Sequence, residues 1–174
     1  MKRAGRLVAV ACALVVWTAT TAGDEGGRKP NLIYNGGFER LNDGAPDGWF
    51  GRGMSVSSEA AHDGQYGLVL KPGASAAALG VASVATLKYD ISGWVRSDGN
   101  SRCAIRGEFF APDGRLVESI PVPLDEKASE GWHFAQQRVE VPLGAGCLVL
   151  TAYNDGETTV FVDDIECHEV YQAR

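Results

Sequence analysis

Helical periodicity is nearly absent from this 174-residue chain. Past residue 23, apolar residues alternate with polar ones or form short runs, and Gly, Pro, Asp and Asn recur between them. That pattern argues against packed amphipathic helices and for an all-β domain. Long hydrophobic runs are missing too: Leu7 to Trp17 is about a dozen residues, short of the ~20 that a membrane-spanning helix needs. No Gly-x-Ser-x-Gly elbow, His-Glu-x-x-His pair or phosphate-cradling loop occurs, so no motif supports hydrolase, metalloprotease or nucleotide chemistry. None of His62, His133 and His168 stands at metal-ligand spacing from another. Glu108 could pair with Asp90 or Glu140 as glycosidase carboxylates, but in a chain with 22 acidic residues such pairs arise by chance. The chain is therefore read as a non-enzyme.

Positive charge is also scarce. Lys2, Arg3 and Arg6 precede the apolar run, and Thr18 to Gly23 is small and polar, the layout of a signal peptide cleaved after Ala22 or Gly23. A retained membrane anchor is the alternative, and Cys12 lies inside the apolar run rather than after it, as lipidation would require. Removing residues 1–23 takes three of the 16 basic residues and none of the 22 acidic ones, so 13 face 22, a net charge of −9. Such a surface excludes nucleic acid and anionic membranes as partners. The expected product is secreted, periplasmic or cell-surface, with no membrane attachment after cleavage. Residues 24–30 form a flexible lead-in, and 31–174 is enough for one domain with a real core, expected to be monomeric.

Cysteine is sparse. Export would leave Cys103, Cys147 and Cys167, an odd number that forces at least one free thiol. Cys147 opens one strand and Cys167 lies late in the next, with the turn Asn154-Asp155-Gly156-Glu157 between them. A hairpin would bring both to the same end of the fold, so a Cys147–Cys167 disulfide is expected. Three reduced core thiols are the alternative.

Strands are expected near 31–34, 53–58, 66–71, 77–84, 87–97, 102–110, 115–120, 132–141, 147–153 and 159–170. Asp63-Gly64, Lys71-Pro72-Gly73, Asp98-Gly99-Asn100, Pro112-Asp113-Gly114 and Asn154-Asp155-Gly156 mark turns between them. Residues 109–117 have the pattern of a hairpin. Regular strand spacing of this kind indicates a sandwich or barrel. In the 87–97 strand Tyr89, Ile91, Gly93 and Val95 share one side, and Lys88, Asp90, Ser92, Trp94 and Arg96 the other. In the last strand Phe161, Asp163, Ile165 and Cys167 alternate with Val162, Asp164, Glu166 and His168. One Asp thus points with the apolar set, and a core-facing carboxylate needs a partner or a metal.

Asn31-Leu32-Ile33-Tyr34-Asn35-Gly36-Gly37-Phe38-Glu39, Asp47-Gly48-Trp49 and Ala61-His62-Asp63-Gly64-Gln65-Tyr66-Gly67-Leu68 are followed in order by Tyr89-Asp90-Ile91-Ser92-Gly93-Trp94-Val95-Arg96, Gly131-Trp132 and Val162-Asp163-Asp164-Ile165. This succession, over about residues 31–170, resembles the jelly-roll carbohydrate-binding modules, closest to the xylan- and glucan-binding (CenC-like) modules of bacterial polysaccharide-degrading enzymes. The resemblance implies a jelly-roll β-sandwich of two antiparallel sheets, galactose-binding-domain-like, with its first and last strands side by side. It implies a structural Ca²⁺ between those strands, with Glu39 and Asp163 as carboxylate ligands, Asp164 as a weaker one and carbonyls near Asp63-Gly64 completing the oxygen shell. Acidic side chains in solvent, with an Asp held by backbone donors, are the alternative.

Sugar recognition needs aromatic faces and planar polar groups. Arg106 and Glu108 share one face of their strand and Gln136 and Arg138 share one face of theirs; with Tyr153, and Asn154 at the rim, they are candidates for one open sheet surface binding a polysaccharide or surface glycan. An ordinary solvated sheet face is the competing reading. Trp49 and Trp132, in turn motifs, are expected to pack, and Trp94 to cover a sheet or lie beneath the N-terminal segment. The sequence departs from the family in Pro72 to Gly80, where xylan-binding relatives carry an exposed Trp and this chain carries no aromatic. A structural or protein-interaction module that has lost sugar binding is therefore the second functional reading.

Overall fold

The computed structural model describes residues 29–78, 81–82, 88–97, 105–124 and 131–170; the expected signal peptide and Cys103 lie outside the described residues. Eleven strands run in chain order among the described residues: β1 (Leu41–Asn42), β2 (Ala45–Pro46), β3 (Trp49–Ser57), β4 (Gly67–Ala78), β5 (Val81–Ala82), β6 (Lys88–Ser97), β7 (Ile105–Phe110), β8 (Leu116–Val122), β9 (His133–Glu140), β10 (Cys147–Tyr153) and β11 (Val160–Glu169). A single 3-10 turn at Ser58–Ala60 is the one helical element among them, which bears out the all-β expectation. All ladders are antiparallel, in the order β8-β7-β10-β4-β11-β6-β9, with β3 beside β4.

Two long strands turn this single path into two layers. Leu68 to Leu70 of β4 pair with β11, whereas Ser75 to Ala77 pair with β10. Strand β3 follows the same bend: Trp49–Arg52 pair with one half of β4 and Met54–Ser57 with the other, and a register shift lies between Arg52 and Met54. Gly53 sits at that shift with φ +67°, and Gly73 at the matching corner of β4 with φ +75°, conformations that a side chain disfavours. One layer is thus β8-β7-β10 with the Ala74–Ala78 half of β4; the other is β9-β6-β11 with the Leu68–Leu70 half.

The layers meet through a core of alternating residues, including Tyr89, Ile91 and Val95 of β6, Ile105 and Phe109 of β7, and Leu148 and Leu150 of β10. Glycines permit the interdigitation: a Cβ on Gly93 of β6 would stand 2.6 Å from Ile105 Cδ1, and one on Gly107 of β7 would stand 2.9 Å from Ile91 Cδ1. The β7–β8 hairpin forms as expected, closed by Gly114 N–H on the Ala111 carbonyl (2.9 Å) with Gly114 at φ +82°.

The N-terminal segment lies along the last strand, though not as a regular strand. Leu32 N–H donates to the Cys167 carbonyl (2.9 Å) and Ile165 N–H to the Gly36 carbonyl (3.0 Å). The Asn31 side chain replaces further ladder bonds, donating to the Ile165 carbonyl and accepting from Cys167 N–H. These side-chain bonds and the turn at residues 33–37 take the place of the strand expected at 31–34. Gly36 is needed here, since a Cβ would overlap the Ile165 carbonyl oxygen.

The expected alternation in β11 is also corrected. Its ladder with β6 shifts register between Asp163 and Glu166, with Asp164 at φ +48°, so Val160 and Val162 face the core before the shift and Ile165 and Cys167 after it. Phe161 therefore faces outward. The expected Cys147–Cys167 disulfide is corrected as well: Cys167 is a buried free thiol. Strands β10 and β11 are not a hairpin, because β4 lies between them, and burial pushes the Cys167 thiol up to about 12.

Candidate functional site

The outer face of the β7-β10-β4 layer brings together three of the expected ligand residues. Arg106 and Glu108 alternate with the inward Ile105, Gly107 and Phe109, and so point outward together. Arg106 Nε lies 3.1 Å from Glu108 Oε1, and Thr151 Oγ1 donates to Glu108 Oε2 at 2.7 Å. The Arg106 guanidinium covers the Tyr153 ring at 4.4 Å from its centroid. One ring face of Tyr153 is thus already occupied by a cation.

Cross-strand register extends this surface to residues the sequence reading passed over. Phe50 pairs with Ala77, Ala77 with Thr151, and Thr151 with Arg106. One row along, Arg52 pairs with Ser75 and Ser75 with Tyr153. Phe50 is 63% exposed, on the same face as the Arg106 cluster. Ser75 and Ala77, small side chains on the middle strand, form the floor of a trough between Phe50 and Arg52 on one side and Thr151 and Tyr153 on the other. Two strand spacings put the backbones of β3 and β10 about 10 Å apart across it. The Ala-rich stretch without an aromatic therefore has a place here: Ala74, Ala76 and Ala78 pack inward, and the exposed ring comes from β3. The signal for Phe50 was local, since Trp49 and Phe50 are adjacent and a strand that buries one must expose the other.

The other three expected ligand residues lie elsewhere. Gln136 and Arg138 are on β9, in the opposite layer, and Arg138 makes two 2.7 Å bonds to Asp90. That guanidinium holds the Asp90 carboxyl below its ordinary value. Asn154 is not at a rim. It is 2% exposed, donates to the Leu70 (2.8 Å) and Thr158 (2.7 Å) carbonyls, and accepts from Gly156 N–H (3.0 Å). Its side chain is consumed in closing the turn beneath the corner of β4. The carboxylates weighed as a glycosidase pair are apart as well: Glu108 lies in one layer, while Asp90 and Glu140 lie in the other beside Arg138 and Lys88.

The expected cation ligands converge on one turn. Asp163 is fully buried; its Oδ2 accepts from His62 N–H (2.7 Å) and Asp63 N–H (3.3 Å), and its Oδ1 from Asp164 N–H (2.8 Å). Glu39 Oε1 accepts from Gln65 N–H (2.8 Å) and Tyr66 N–H (2.9 Å). The turn at residues 62–66 is thus gripped by one carboxylate from each end of the domain. Asp164 Oδ2 is engaged 3.0 Å from His62 Nδ1. Burial pushes the Asp163 carboxyl up to about 6, against the opposing pull of the His62 and Asp164 backbone donors. Among the described residues no group of three or more His, Cys, Asp and Glu side chains is placed to hold a metal. The carboxylates act first as backbone acceptors, and a cation here would depend on main-chain oxygens for most of its shell.

Trp49 packs in the core against Phe38, with ring centroids 5.0 Å apart, and its Nε1 donates to the Asn35 carbonyl. Trp94 covers the outer face of β6, where the His62 ring stacks on it at 4.0 Å.

With this geometry the chain can be set beside known structures. The xylan-binding CBM22-1 domain of Paenibacillus barcinonensis Xyn10C superposes with a TM-score of 0.62 at 18% identity, over 86% of this chain and all of that one. The fold is that of the jelly-roll carbohydrate-binding modules. A family 16 carbohydrate-binding module matches with a TM-score of 0.57 at 23% identity, over 80% of this chain and all of that one. The module TmCBM61, solved in complex with β-1,4-galactotriose, matches with a TM-score of 0.52 at 18% identity, over 81% of this chain and 99% of that one. No protein-family model and no curated protein matches the sequence. At these identities what is shared is the jelly roll.

Proposed function

We propose that this chain is an exported, non-catalytic, monomeric jelly roll that binds a polysaccharide in the trough on its β7-β10-β4 face. The observation that carries the reading is the exposed Phe50 ring placed across a floor of small residues from the Arg106–Glu108–Thr151 cluster. A pyranose offers an apolar C–H face to the ring and hydroxyls to the carboxylate and guanidinium opposite, with the buried Thr151 hydroxyl holding the carboxylate in place. The chemistry of the fold's xylan- and galactan-binding examples makes β-1,4-linked chains the first probes. Affinity electrophoresis in gels cast with xylan, mixed-linkage β-glucan or β-1,4-galactan tests it: the wild type is retarded in at least one gel, and Phe50→Ala is clearly less retarded there while keeping its melting temperature. Equal retardation of wild type and Phe50→Ala would refute the trough.

Calcium belongs to the same proposal as a structural ion, with Glu39 and Asp163 as its carboxylates and Asp164 secondary. Its support is the fully buried Asp163, whose charge is costly without a compensating cation. A protein-interaction role is the second reading, and one observation favours it: Glu108 already accepts from Thr151 and pairs with Arg106, whose guanidinium lies on Tyr153, so these groups are engaged with one another before any sugar arrives. No retardation in any gel would select it.

A further inference from the structure

The layer opposite the trough carries an aromatic surface that the proposed function leaves unused. Phe134 on β9 is 51% exposed, and its ring lies 5.2 Å from Trp94 in the facing position of β6. Trp94 is fixed in turn: His62 stacks on it, and Trp132 meets the His62 ring edge-on at 5.4 Å. An aromatic held this way loses little freedom on binding a ligand.

The charges around it are matched in pairs. Asp90 and Arg138 form the two-bond pair already described, Lys88 Nζ lies 2.9 Å from Glu140, and His168 Nε2 lies 3.2 Å from Glu166. The Arg96 guanidinium is held between the rings of Phe161 (4.4 Å) and Trp132 (5.1 Å) and donates to the Glu59 carbonyl at 2.6 Å. A polyanion or polycation would have to break these contacts. What the face offers a partner is one exposed ring and, two residues along β9, the exposed neutral amide of Gln136 opposite Ser92. A protein partner is a poor fit, because Phe134 is the only large apolar side chain exposed on β6, β9 and β11 among the described residues, whereas stable protein interfaces bury more than about 1,000 Å².

We infer that the outer face of β6 and β9 is a second glycan-binding surface, centred on Phe134 with Gln136 as its hydrogen-bonding group, and selective for an uncharged polysaccharide. This rests on the glycan reading of the chain and extends it: the two surfaces lie on opposite layers, so one molecule bridges two polysaccharide chains.

The test is a backbone-amide NMR titration of the full exported chain with xylohexaose and cellohexaose, with hexagalacturonate as the charged control. Wild type shows two separate groups of shifting resonances, one around Phe50 and Thr151 and one around Phe134 and Gln136. Phe134→Ala removes the second group or weakens its binding about two- to tenfold, as expected for loss of one stacked ring, and Phe50→Ala removes the first. Wild type also makes soluble xylan turbid, and neither single variant does. Shifts around Phe50 alone, unchanged by Phe134→Ala, would refute the second surface and leave the trough standing. Shifts around Phe134 alone would support the second surface and refute the trough. No shifts with any neutral oligosaccharide would refute both. Stronger binding of hexagalacturonate at Phe134 would overturn the selectivity, and a wild-type dimer that Phe134→Ala converts to monomer would assign this face to a second copy of the chain.

Discussion

Replacing Asn154 by alanine separates a fold-holding role from a ligand-contacting one. The side chain makes three hydrogen bonds to main-chain groups, Leu70 O, Thr158 O and Gly156 N, from a position that is 2% exposed. Alanine fills little of the space and leaves those groups with no partner from residue 154. At about 1 kcal/mol per lost bond in a buried setting, the expected loss is about 3 kcal/mol. For a domain of about 150 residues that lowers the melting temperature by about 6–12 °C. Urea unfolding followed by the fluorescence of buried Trp49 measures it, with the midpoint falling and the slope unchanged. Asn154→Asp is expected to be no better than alanine, because a carboxylate oxygen would face the Leu70 and Thr158 carbonyls. A variant that melts within 2 °C of wild type while losing glycan retention would refute the reasoning and return Asn154 to the binding surface.

Asp163 sets the acid response. Its folded pKa of about 6 exceeds the ordinary 3.8, so the fold favours the protonated form; the contribution is complete below the ordinary value and lost as pH rises through 6. In EDTA, stability should therefore rise by about 1 kcal/mol between pH 7 and pH 5, towards a total of about 3 kcal/mol once pH falls below 4, and the rise should vanish in Asp163→Asn. The depressed carboxyls of Asp90 and Glu140 titrate below this window and do not mask it. If the proposed calcium binds, millimolar Ca²⁺ raises the melting temperature at pH 7 and EDTA lowers it; no change in either direction would remove calcium from the proposal. Gly36→Ala should abolish folding or cost several kcal/mol, because its methyl would overlap the Ile165 carbonyl and part the first segment from the last strand; a soluble variant with an unchanged melting temperature would contradict that packing. Thiol titration of the native protein should find Cys167 unreactive until the chain is unfolded, since it is buried; labelling of Cys167 in the native state would contradict that packing.

Much of this was legible in order along the chain. Period-2 alternation marked Tyr89, Ile91 and Val95 as core and Trp94 and Arg96 as surface, because side-chain direction within a strand is a local property of the backbone. The Pro112-Asp113-Gly114 turn announced the β7–β8 hairpin for the same reason, and the family motifs announced the jelly roll and the adjacency of residues 31–36 to β11. Strand order is a different kind of information. Gln136 and Arg138 looked equivalent to Arg106 and Glu108, yet β9 and β7 close opposite layers. Cys147 and Cys167 looked like hairpin neighbours, yet β4 lies between their strands. In each case a pairing between distant segments, chosen by the burial of the whole core, overrode proximity in sequence.

The residues alone settled the class: an acidic β domain whose alternating strands could bury one face each, and whose first and last segments carried the matching carboxylates Glu39 and Asp163. Three-dimensional packing settled the rest. It bent β3 and β4 across two layers, shifted the register of β11 at Asp163–Glu166, drew Asn154 into the interior and set Phe50 opposite Arg106. Those outcomes depend on which strands lie side by side, and lateral pairing is fixed by long-range burial and main-chain hydrogen bonding that no short stretch of sequence encodes.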